Sequence, residues 1–245
     1  MNALVVGGAH GIGLSVVKEL ITQDKFDHIY VIGNSQFSYN NMSDRITYYK
    51  CNLAESDYSI CDTFPQINAL FINAGIGHLG YFQDFDELAI QDMFQINTIA
   101  PIRIVKKYYN QMLSANNFYC YIISSISGHL VSPLFSVYSA TKAALSRFIE
   151  SVNIELEMQG STNRILDVSP GHIKGTSFDG NTNIDTAVTD ILAKKILSQT
   201  FTKKEIYIPN FNTIYKEVLE RHQQDKHRFG IQSYEYKVKR LRESV

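Results

Sequence analysis

Tyr138 and Lys142 are the two residues whose types and spacing point most directly to chemistry. They stand four positions apart near the start of a predicted helix, so their side chains project from the same face. A free tyrosine, with a pKa of about 10, is a poor base at neutral pH, and a neighbouring ammonium that favours the phenolate is the simplest way to activate it. The pair could then exchange a proton with a substrate oxygen, although the same spacing also occurs by chance in many helices.

A glycine-rich segment near the start of the chain has the features of an anion-binding turn. Residues 7–13 read GGAHGIG and stand directly between a predicted strand and a predicted helix. Glycines allow a sharp turn and a close approach of the backbone to a phosphate, while the helix dipole and free N–H groups favour an anion. A tight turn that binds no ligand is the alternative. The candidate residues for binding a dinucleotide pyrophosphate are Gly7, His10, Gly11, Ile12 and Gly13.

The elements that must position these residues follow from the hydrophobic pattern. An apolar run over 3–6 is typical of a strand buried on both faces, and apolar positions at helical spacing over 12–20 indicate a helix with one buried face. Residues 35–44 are predicted to form a loop. The alternation predicts an α/β protein with a three-layer, doubly wound Rossmann fold and a mostly parallel sheet. Further strands are predicted at 28–32, 46–49, 69–72, 119–123, 164–168 and 205–208, and further helices at 55–62, 86–113, 136–158 and 185–197.

Composition and charge restrict the class of protein. The chain has 245 residues, of which 44% are hydrophobic and 19% charged, and its formal net charge is -1. Such a chain can bury a core and has no overall field that would attract nucleic acid or anionic lipid. No linker or repeat divides it, so a single domain over 1–245 is predicted, with 211–245 as a C-terminal helical extension.

Other residue patterns argue against several kinds of site. The 3 cysteines and 7 histidines show no metal-ligand spacing, so no catalytic metal is expected. The serines show no nucleophile elbow of a hydrolase. No apolar segment is long enough to cross a bilayer, and no targeting segment precedes the first strand. A cytoplasmic protein without membrane or nucleic-acid partners is therefore expected.

The C-terminal segment differs from the rest of the chain in its charge. Residues 216–245 carry 8 Lys and Arg against 5 Asp and Glu. Tyr234, Val238 and Leu241 fall at helical spacing, which predicts an amphipathic helix with a basic outer face. Two interpretations are open: a solvated face on a docked helix, or a site for a polyanion.

Six segments, taken in order, resemble motifs of the short-chain dehydrogenase/reductase family, in its shorter, single-domain branch. Each segment is weak alone, but their order and spacing are similar to the family across nearly the whole chain. The resemblance implies an NAD(P)-dependent oxidoreductase that transfers hydride between the nicotinamide and a carbonyl or alcohol group. The segments are the glycine turn, Asn73-Ala74-Gly75, Asn97, Ser124-Ser125, Tyr138 with Lys142, and Pro170-Gly171.

The resemblance also implies catalytic roles for four residues. Tyr138 would be the general acid in reduction and the general base in oxidation. Lys142 would lower the pKa of Tyr138 and hydrogen-bond the nicotinamide ribose. Ser125 would hold and polarise the substrate carbonyl, with Ser127 as a substitute. Asn97 would bind a water that links Lys142 to solvent, or would be a polar helix residue without a role.

Further positions are implied as nucleotide contacts. Asn52 stands where an aspartate commonly faces the adenine, and residues 73–75 would support the adenosine side. The segment from Pro170 resembles one that binds the nicotinamide carboxamide, with Thr176 displaced by one position from the family pattern. Besides the glycine turn, the implied contacts are Asn34, Ser35, Asn52, Leu53, Asn73, Ala74, Gly75, Tyr138, Lys142, Pro170, Gly171, Ile173 and Thr176.

The end of the second strand favours NADP over NAD. An acidic residue there binds the ribose 2′-hydroxyl of NAD, whereas its absence together with a nearby cation allows the 2′-phosphate of NADP. This strand ends Gly33-Asn34-Ser35, without an acid, and His10 is the candidate cation of the glycine turn. The alternative for His10 is a turn residue that contacts only solvent.

Two other functions are open at this point. Departures from the family pattern at Val6, Ile72 and Gly175 suggest a dinucleotide-binding regulator with little or no catalysis. Epimerase or dehydratase chemistry would reuse the tyrosine and lysine on the same fold. Because family members usually pair their two long helices, here 86–113 and 136–158, the resemblance implies a homodimer or homotetramer that acts on a small molecule.

Overall fold

The computed structural model describes residues 1–37, 43–114, 117–173 and 186–243. Its centre is a sheet of seven strands: β1 (Asn2–Val6), β2 (His28–Gly33), β3 (Ile46–Lys50), β4 (Ala69–Ile72), β5 (Tyr119–Ile123), β6 (Ile165–Val168) and β7 (Ile206–Tyr207). The strand order is β3-β2-β1-β4-β5-β6-β7, and all neighbouring strands are parallel. The predicted doubly wound Rossmann fold is confirmed.

Helices cover both faces of this sheet. The helices are α1 (Gly11–Thr22), α2 (Glu87–Phe94), α3 (Ala100–Ser114), α4 (Ser136–Met158), α5 (Thr186–Phe201), α6 (Lys216–Gln224) and α7 (Lys226–Glu243). Apolar side chains of α1 and α5 pack on one face, and those of α3 and α4 pack on the other. The sheet is therefore the middle of three layers.

Successive residues of a strand enter the two cores in turn. In β6, Ile165 packs in the core beneath α3 and α4, whereas Leu166 and Val168 pack in the core beneath α1 and α5. Because side chains of a strand alternate between its two faces, Asp167 lies on the same face as Ile165. A carboxyl group thus stands on the α4 side of an otherwise apolar strand.

The strand order reverses between β1 and β4. The chain leaves β1 toward β2 and β3, then returns to pair β4 with the other side of β1. Such a reversal opens a crevice at the carboxyl ends of the strands, where doubly wound proteins bind ligands. The glycine turn follows β1 and residues 73–75 follow β4, so both segments border this crevice.

The helix predicted over 55–62 is wrong. The structure has two short turns of 3-10 helix instead, Leu53–Glu55 and Ser59–Asp62. Between them, Ser56 has a φ of +58°, and a left-handed residue ends a right-handed helix. The side chain of Asp57 accepts a hydrogen bond from the backbone two residues on, and local bonds of this kind compete with helix formation.

The long helix predicted over 86–113 is present but contains a wider turn. Helix α2 passes into a π-helical segment, Gln95–Ile99, and then into α3. Pro101 explains the change, because proline has no N–H to donate to the carbonyl four residues earlier, which belongs to Asn97. The π-helical segment buries Asn97 completely against α4.

The C-terminal part of the described chain is helical, and the first residue of its predicted apolar stripe is exposed. Helices α6 and α7 follow a π-helical turn, Phe211–Tyr215. Tyr234 of the predicted stripe is 42% exposed. Within the described residues, none of the helices combines the length and apolar character needed to span a membrane.

Candidate active site

Helix α4 brings Tyr138 and Lys142 to the carboxyl end of β5. The Lys142 ammonium donates a hydrogen bond to the carbonyl of Ile123, the last residue of β5, at 2.9 Å. It lies 5.9 Å from the centre of the Tyr138 ring. Only 7% of Tyr138 and 2% of Lys142 is exposed. The two residues singled out from the sequence are therefore neighbours that are shielded from bulk water.

Ser125 lies beside this pair, immediately after β5. Its hydroxyl lies within hydrogen-bonding reach of the Tyr138 side chain and donates to the carbonyl of Pro170 at 3.4 Å. The backbone N–H of Ser127 donates to the Ser125 hydroxyl at 3.1 Å, which caps the 3-10 turn Ile126–Gly128. The local turn thus fixes the Ser125 hydroxyl next to the phenol.

Gly128 allows the segment after β5 to approach helix α4 closely. A Cβ built on Gly128 would lie 2.8 Å from the backbone of Lys142 and 2.9 Å from that of Ala143. Only a residue without a side chain fits at such a distance. Gly128 was not identified from the sequence. Its position three residues after Ser125 is a feature of the sequence that could have indicated this close approach.

Asn97 joins the segment after β4 to helix α4. Its side-chain oxygen accepts from the N–H of Ile76 at 2.8 Å, and its amide donates to the Ile76 carbonyl at 2.8 Å and to the Thr141 hydroxyl at 3.0 Å. A Cβ on Gly75 would lie 3.2 Å from the Lys142 nitrogen and 3.4 Å from the Asn97 oxygen. Asn97 and Lys142 therefore border the same space beside Gly75, and the Asn97 side chain already has backbone partners there.

Burial shifts the pKa values of the pair in opposite directions. Burial raises the pKa of Tyr138 to about 12, and the hydrogen bond with Ser125 opposes this shift. Burial lowers the pKa of Lys142 to about 8, and the negative charge of Asp167 opposes that shift. At neutral pH the phenol therefore keeps its proton and Lys142 is largely an ammonium.

The glycine turn is shaped by close approaches that exclude side chains. Gly7 and Gly11 have φ values of +75° and +52°, in the left-handed region that glycine adopts without strain. A Cβ on Gly7 would lie 2.6 Å from the nitrogen of Ala74, and one on Gly13 would lie 2.1 Å from the Gly7 carbonyl oxygen. The turn and the end of β4 are therefore in direct contact. Because α1 begins at Gly11, its first N–H groups belong to this turn.

The residues considered for cofactor choice are exposed at the ends of β1 and β2. His10 is exposed just before α1, and its side chain makes no capping hydrogen bond. Asn34 and Ser35 are exposed directly after β2. Arg45 is engaged elsewhere, because its guanidinium donates to backbone carbonyls of Phe26 and of the end of α1. His10 thus stays the candidate cation within the glycine turn.

The side chains of Asn52 and Asn73 have local partners. The Asn52 amide donates to the Glu55 carboxylate at 2.9 Å. The Asn73 oxygen accepts from the Tyr121 hydroxyl at 2.7 Å, on the central sheet. The side chain of Leu53 packs in the core rather than in the crevice. Only the backbone of Leu53 is therefore available to contact a nucleotide.

The segment after β6 is covered by a residue from the C-terminal part of the chain. A Cβ on Gly171 would lie 1.6 Å from the Tyr215 hydroxyl, so this phenol fills the place of a side chain beside Pro170. Ile173 packs against the core beneath α1 and α5. Thr176 lies outside the described residues. Tyr215 belongs to no motif and is distant in sequence, so only the fold identifies it.

Helices α6 and α7 hold the loop that precedes α4. The Lys237 ammonium donates to the Ser132 hydroxyl at 2.7 Å and to the Pro133 carbonyl at 2.8 Å. The His222 ring accepts from the N–H of Val131 at 3.1 Å. These contacts favour the docked-helix interpretation of the basic C-terminal segment.

Family comparison agrees with the arrangement of these segments. A family model described as short chain dehydrogenase matches residues 1–187. The chain belongs to the short-chain dehydrogenase family. The matched region holds the glycine turn, Ser125, Tyr138 and Lys142, and it ends before α6 and α7. The contacts that Tyr215 and Lys237 make therefore come from outside the matched region.

Curated relatives of this family member are identical to it at about a quarter of the aligned positions. An uncharacterised oxidoreductase of Saccharomyces cerevisiae is 27% identical over 196 residues, which cover 72% of this chain and 61% of the yeast protein. Sorbitol-6-phosphate 2-dehydrogenase of Klebsiella pneumoniae is 28% identical over 190 residues, which cover 71% of this chain and 70% of that enzyme. A second oxidoreductase of S. cerevisiae is matched over 56% of its length. The chain thus matches less than two thirds of the length of either yeast relative.

Solved structures of the same family share the fold at low identity. A short-chain dehydrogenase from Burkholderia cenocepacia, solved with NADP, has a TM-score of 0.79 and 17% identity, covering 95% of this chain and 96% of that chain. A short-chain dehydrogenase from Sphingobium yanoikuyae, solved with NADPH, has a TM-score of 0.74 and 20% identity, covering 91% and 93%. At these identities the likeness shows the fold alone.

Proposed function

We propose that this short-chain dehydrogenase is an NAD(P)-dependent oxidoreductase that moves hydride between the nicotinamide and the carbonyl or alcohol group of a small molecule. The observation that carries the proposal is the meeting of Tyr138, Lys142 and Ser125 at the carboxyl end of β5. All three side chains are buried, and the glycine turn lies at the same end of the sheet. A regulator that only binds a dinucleotide has no use for a buried phenol beside a hydroxyl, with a buried ammonium 5.9 Å from the centre of the phenol ring.

The crevice has a backbone cradle that fits a dinucleotide. Side chains are excluded at Gly7 and Gly13 by neighbouring backbone, and the N-terminus of α1 has no side-chain cap. Such an N-terminus favours the anionic pyrophosphate, which Gly11 and Ile12 would hold, while Pro170 and Gly171 would hold the nicotinamide end. The bound nucleotide supplies or accepts the hydride.

NADP is the proposed cofactor in preference to NAD. The end of β2 presents Asn34 and Ser35 without a carboxylate, so the group that usually binds the ribose 2′-hydroxyl of NAD is missing there. His10 is exposed in the adjacent turn and would face the 2′-phosphate. Two solved short-chain dehydrogenases of the same fold are complexes with NADP or NADPH.

The protein residues would carry the proton part of the reaction. In reduction, Tyr138 donates its proton to the substrate oxygen, and Ser125 donates a hydrogen bond to the same oxygen. Lys142 then stabilises the phenolate that remains. Lowering the pKa of Tyr138 by about three units requires about 4 kcal/mol, a size that a buried ammonium nearby can supply and that would offset the rise caused by burial.

Asn97 would act through its backbone in returning the proton. Its side chain is taken up by Ile76 and Thr141. Its carbonyl loses the usual helical donor, because Pro101 has no N–H. A water on this carbonyl would link Lys142 to solvent, so the role proposed for Asn97 is to hold that water while its side chain fastens α4 to the segment after β4.

Carbonyl reduction is expected to lose rate as the pH rises through about 8, the value to which burial lowers the pKa of Lys142. Below this pH the side chain is an ammonium that stabilises the phenolate, and above it the neutral amine cannot. Oxidation should instead gain rate with pH until Lys142 deprotonates, because burial raises the pKa of Tyr138, the group that must release a proton. Profiles of kcat/KM in both directions test this, and a reduction rate that keeps rising above about pH 8 would contradict it.

A homodimer or homotetramer is proposed through the faces of α4 and the α2–α3 helix. Large apolar side chains are exposed there, with Ile154 at 64%, Met158 at 81% and Leu88 at 64%. Exposed apolar groups of this size mark protein contacts when they are clustered. Sedimentation at micromolar protein should show an oligomer, and a monomer alone would contradict the proposal.

A reducing compartment such as the cytoplasm is proposed from the thiols. Cys51, Cys61 and Cys120 are all free and buried. Burial raises the pKa of Cys61 to about 12, so this thiol is unreactive at neutral pH. Free thiols of this kind fit a reducing environment.

Nucleotide titration tests the proposed function. The protein is titrated with NADPH and with NADH while the fluorescence of the bound nicotinamide is followed, and a panel of small aldehydes and ketones is then added to the preferred complex. We expect tighter binding of NADPH and loss of fluorescence with at least one carbonyl. Binding without turnover across the panel would favour the regulator, and failure of both nucleotides to bind would overturn the proposal.

A further inference from the structure

Asp167 is a buried carboxylate that the proposed mechanism does not use. It stands in β6 with 3% of its surface exposed. Its carboxylate accepts hydrogen bonds from the hydroxyls of Ser124 and Ser169, the latter at 2.8 Å, and these two hydroxyls are 2.6 Å apart. The two hydroxyls therefore hold the Asp167 carboxylate in a fixed position beside β5 and β6.

The position of Asp167 in the sheet directs it toward Lys142. Asp167 pairs in register with Ile122 of β5, and Lys142 donates to the next residue of that strand, Ile123. Both Asp167 and Lys142 lie on the face of the sheet that α4 covers. The carboxylate and the buried ammonium therefore lie on the same side of two neighbouring strands, at positions that are adjacent along them.

The other groups around Lys142 carry no negative charge at neutral pH. On α4 itself, Tyr138 is a phenol whose pKa burial raises to about 12. From the segment after β4 and the π-helical segment, Gly75 and Asn97 are the neighbours, and both are neutral. From the turn after β5, His129 reaches the network through a hydrogen bond of 2.9 Å to the Ser169 hydroxyl. Within the described part of the chain, Asp167 is the acidic group that acts on Lys142.

We propose that Asp167 is the buried counter-charge that keeps Lys142 protonated, with Ser124, Ser169 and His129 holding the carboxylate in place. The inference rests on the proposed function and adds a positioning residue to it, since Asp167 acts through Lys142 and not on the substrate. A buried ammonium without a counter-charge gives up its proton readily, because desolvation penalises the charged form. Without Asp167, Lys142 would lose a larger part of its charge near neutral pH and would stabilise the phenolate less.

The direct test is the titration of Lys142 in the protein without nucleotide. Lysine labelled with ¹³C at the ε carbon reports protonation by its NMR shift, and the Lys142→Met variant assigns the signal. In Asp167→Asn, which keeps the size and hydrogen-bonding capacity of the side chain, the Lys142 midpoint is expected to fall by about one pH unit.

Two further variants make the result decisive. Asp190→Asn is the matched control. Asp190 also accepts a hydrogen bond from a serine, Ser15, but this contact lies between α1 and α5 on the opposite face of the sheet. The Asp190→Asn variant should therefore leave the Lys142 midpoint unchanged. Ser169→Ala keeps the charge but removes one hydrogen bond from the carboxylate, so it should give a smaller fall, and it serves if Asp167→Asn does not fold. An unchanged midpoint in every folded variant at Asp167 or Ser169 would overturn the proposal, as would an equal fall in Asp190→Asn.

Kinetics separate this inference from the proposed function. If the wild-type protein reduces a carbonyl, the high-pH limb of kcat for Asp167→Asn should move to lower pH by the same amount as the Lys142 midpoint, with nucleotide KM unchanged. A purely structural role would lower thermal stability without moving either the limb or the midpoint. If no carbonyl or alcohol is turned over, the proposed function fails, while the NMR titration still decides whether Asp167 is the counter-charge of Lys142.

Discussion

Tyr138→Phe is expected to reduce turnover by about 10²- to 10⁴-fold, the usual contribution of a positioned general acid. Phenylalanine fills the same buried space beside Ser125 but has no proton to donate. Because the phenol is not part of the glycine turn, nucleotide affinity should change little. The measurements are kcat with a substrate identified from the carbonyl panel and the dissociation constant of NADPH from fluorescence.

Tyr108→Phe is a matched control for this variant. Tyr108 is also buried, and its hydroxyl donates to the carbonyl of Cys61 at 3.0 Å, away from the crevice. It should lose stability through one missing hydrogen bond, by about 1 kcal/mol, and keep its kcat. Turnover retained in Tyr138→Phe, or lost equally in both variants, would remove Tyr138 from the role of proton donor.

Gly13→Ala is expected to weaken nucleotide binding by about 10- to 100-fold, because overpacking costs about 1–3 kcal/mol and each 1.4 kcal/mol is a factor of ten. A Cβ at this position would lie 2.1 Å from the carbonyl oxygen of Gly7. The atom that the new Cβ would meet belongs to the backbone of Gly7, so no side chain can rotate away and the turn itself must shift. The N–H groups that would hold the pyrophosphate shift with it.

Gly33→Ala provides the comparison for Gly13→Ala. A Cβ at Gly33 would lie 3.7 Å from its nearest neighbour, the hydroxyl of Tyr48, which is an ordinary contact. This variant should bind NADPH as the wild type does. If both variants bind equally well, the glycine turn is a structural feature and the nucleotide lies elsewhere.

The hydrophobic pattern was sufficient for the fold because the sheet is buried on both faces. Strands such as Ala69–Ile72 read as short apolar runs, and helices such as Ser136–Met158 carry apolar positions at helical spacing. The segment at 53–62 departs from prediction because a left-handed serine and a side-chain hydrogen bond from Asp57 act locally against a helix. The π-helical interruption before Pro101 could have been predicted from the sequence, because proline removes a helical hydrogen bond.

The residues of the site could be predicted only where they belong to a sequence motif. Spacing alone places Tyr138 and Lys142 on one helix face, and order along the chain joins Ser125 to them. The contacts of Tyr215 with Gly171, and of Asp167 with two serines, depend on which strands and helices become neighbours. Such long-range contacts leave no periodic signal in the sequence. From the sequence alone, Asp167 is only a polar residue within an apolar strand, and its partners cannot be predicted.

Transfer of deuterium from NADPH labelled at the nicotinamide C4 to a carbonyl substrate is the most direct test of the central claim. Mass spectrometry of the alcohol product measures whether the label reaches the carbinol carbon. Hydride transfer predicts a product with one deuterium when the transferred position is labelled, formed by the wild-type protein and greatly reduced in Tyr138→Phe. An unlabelled product from both labelled C4 epimers, or no product while NADPH is bound, would contradict the account.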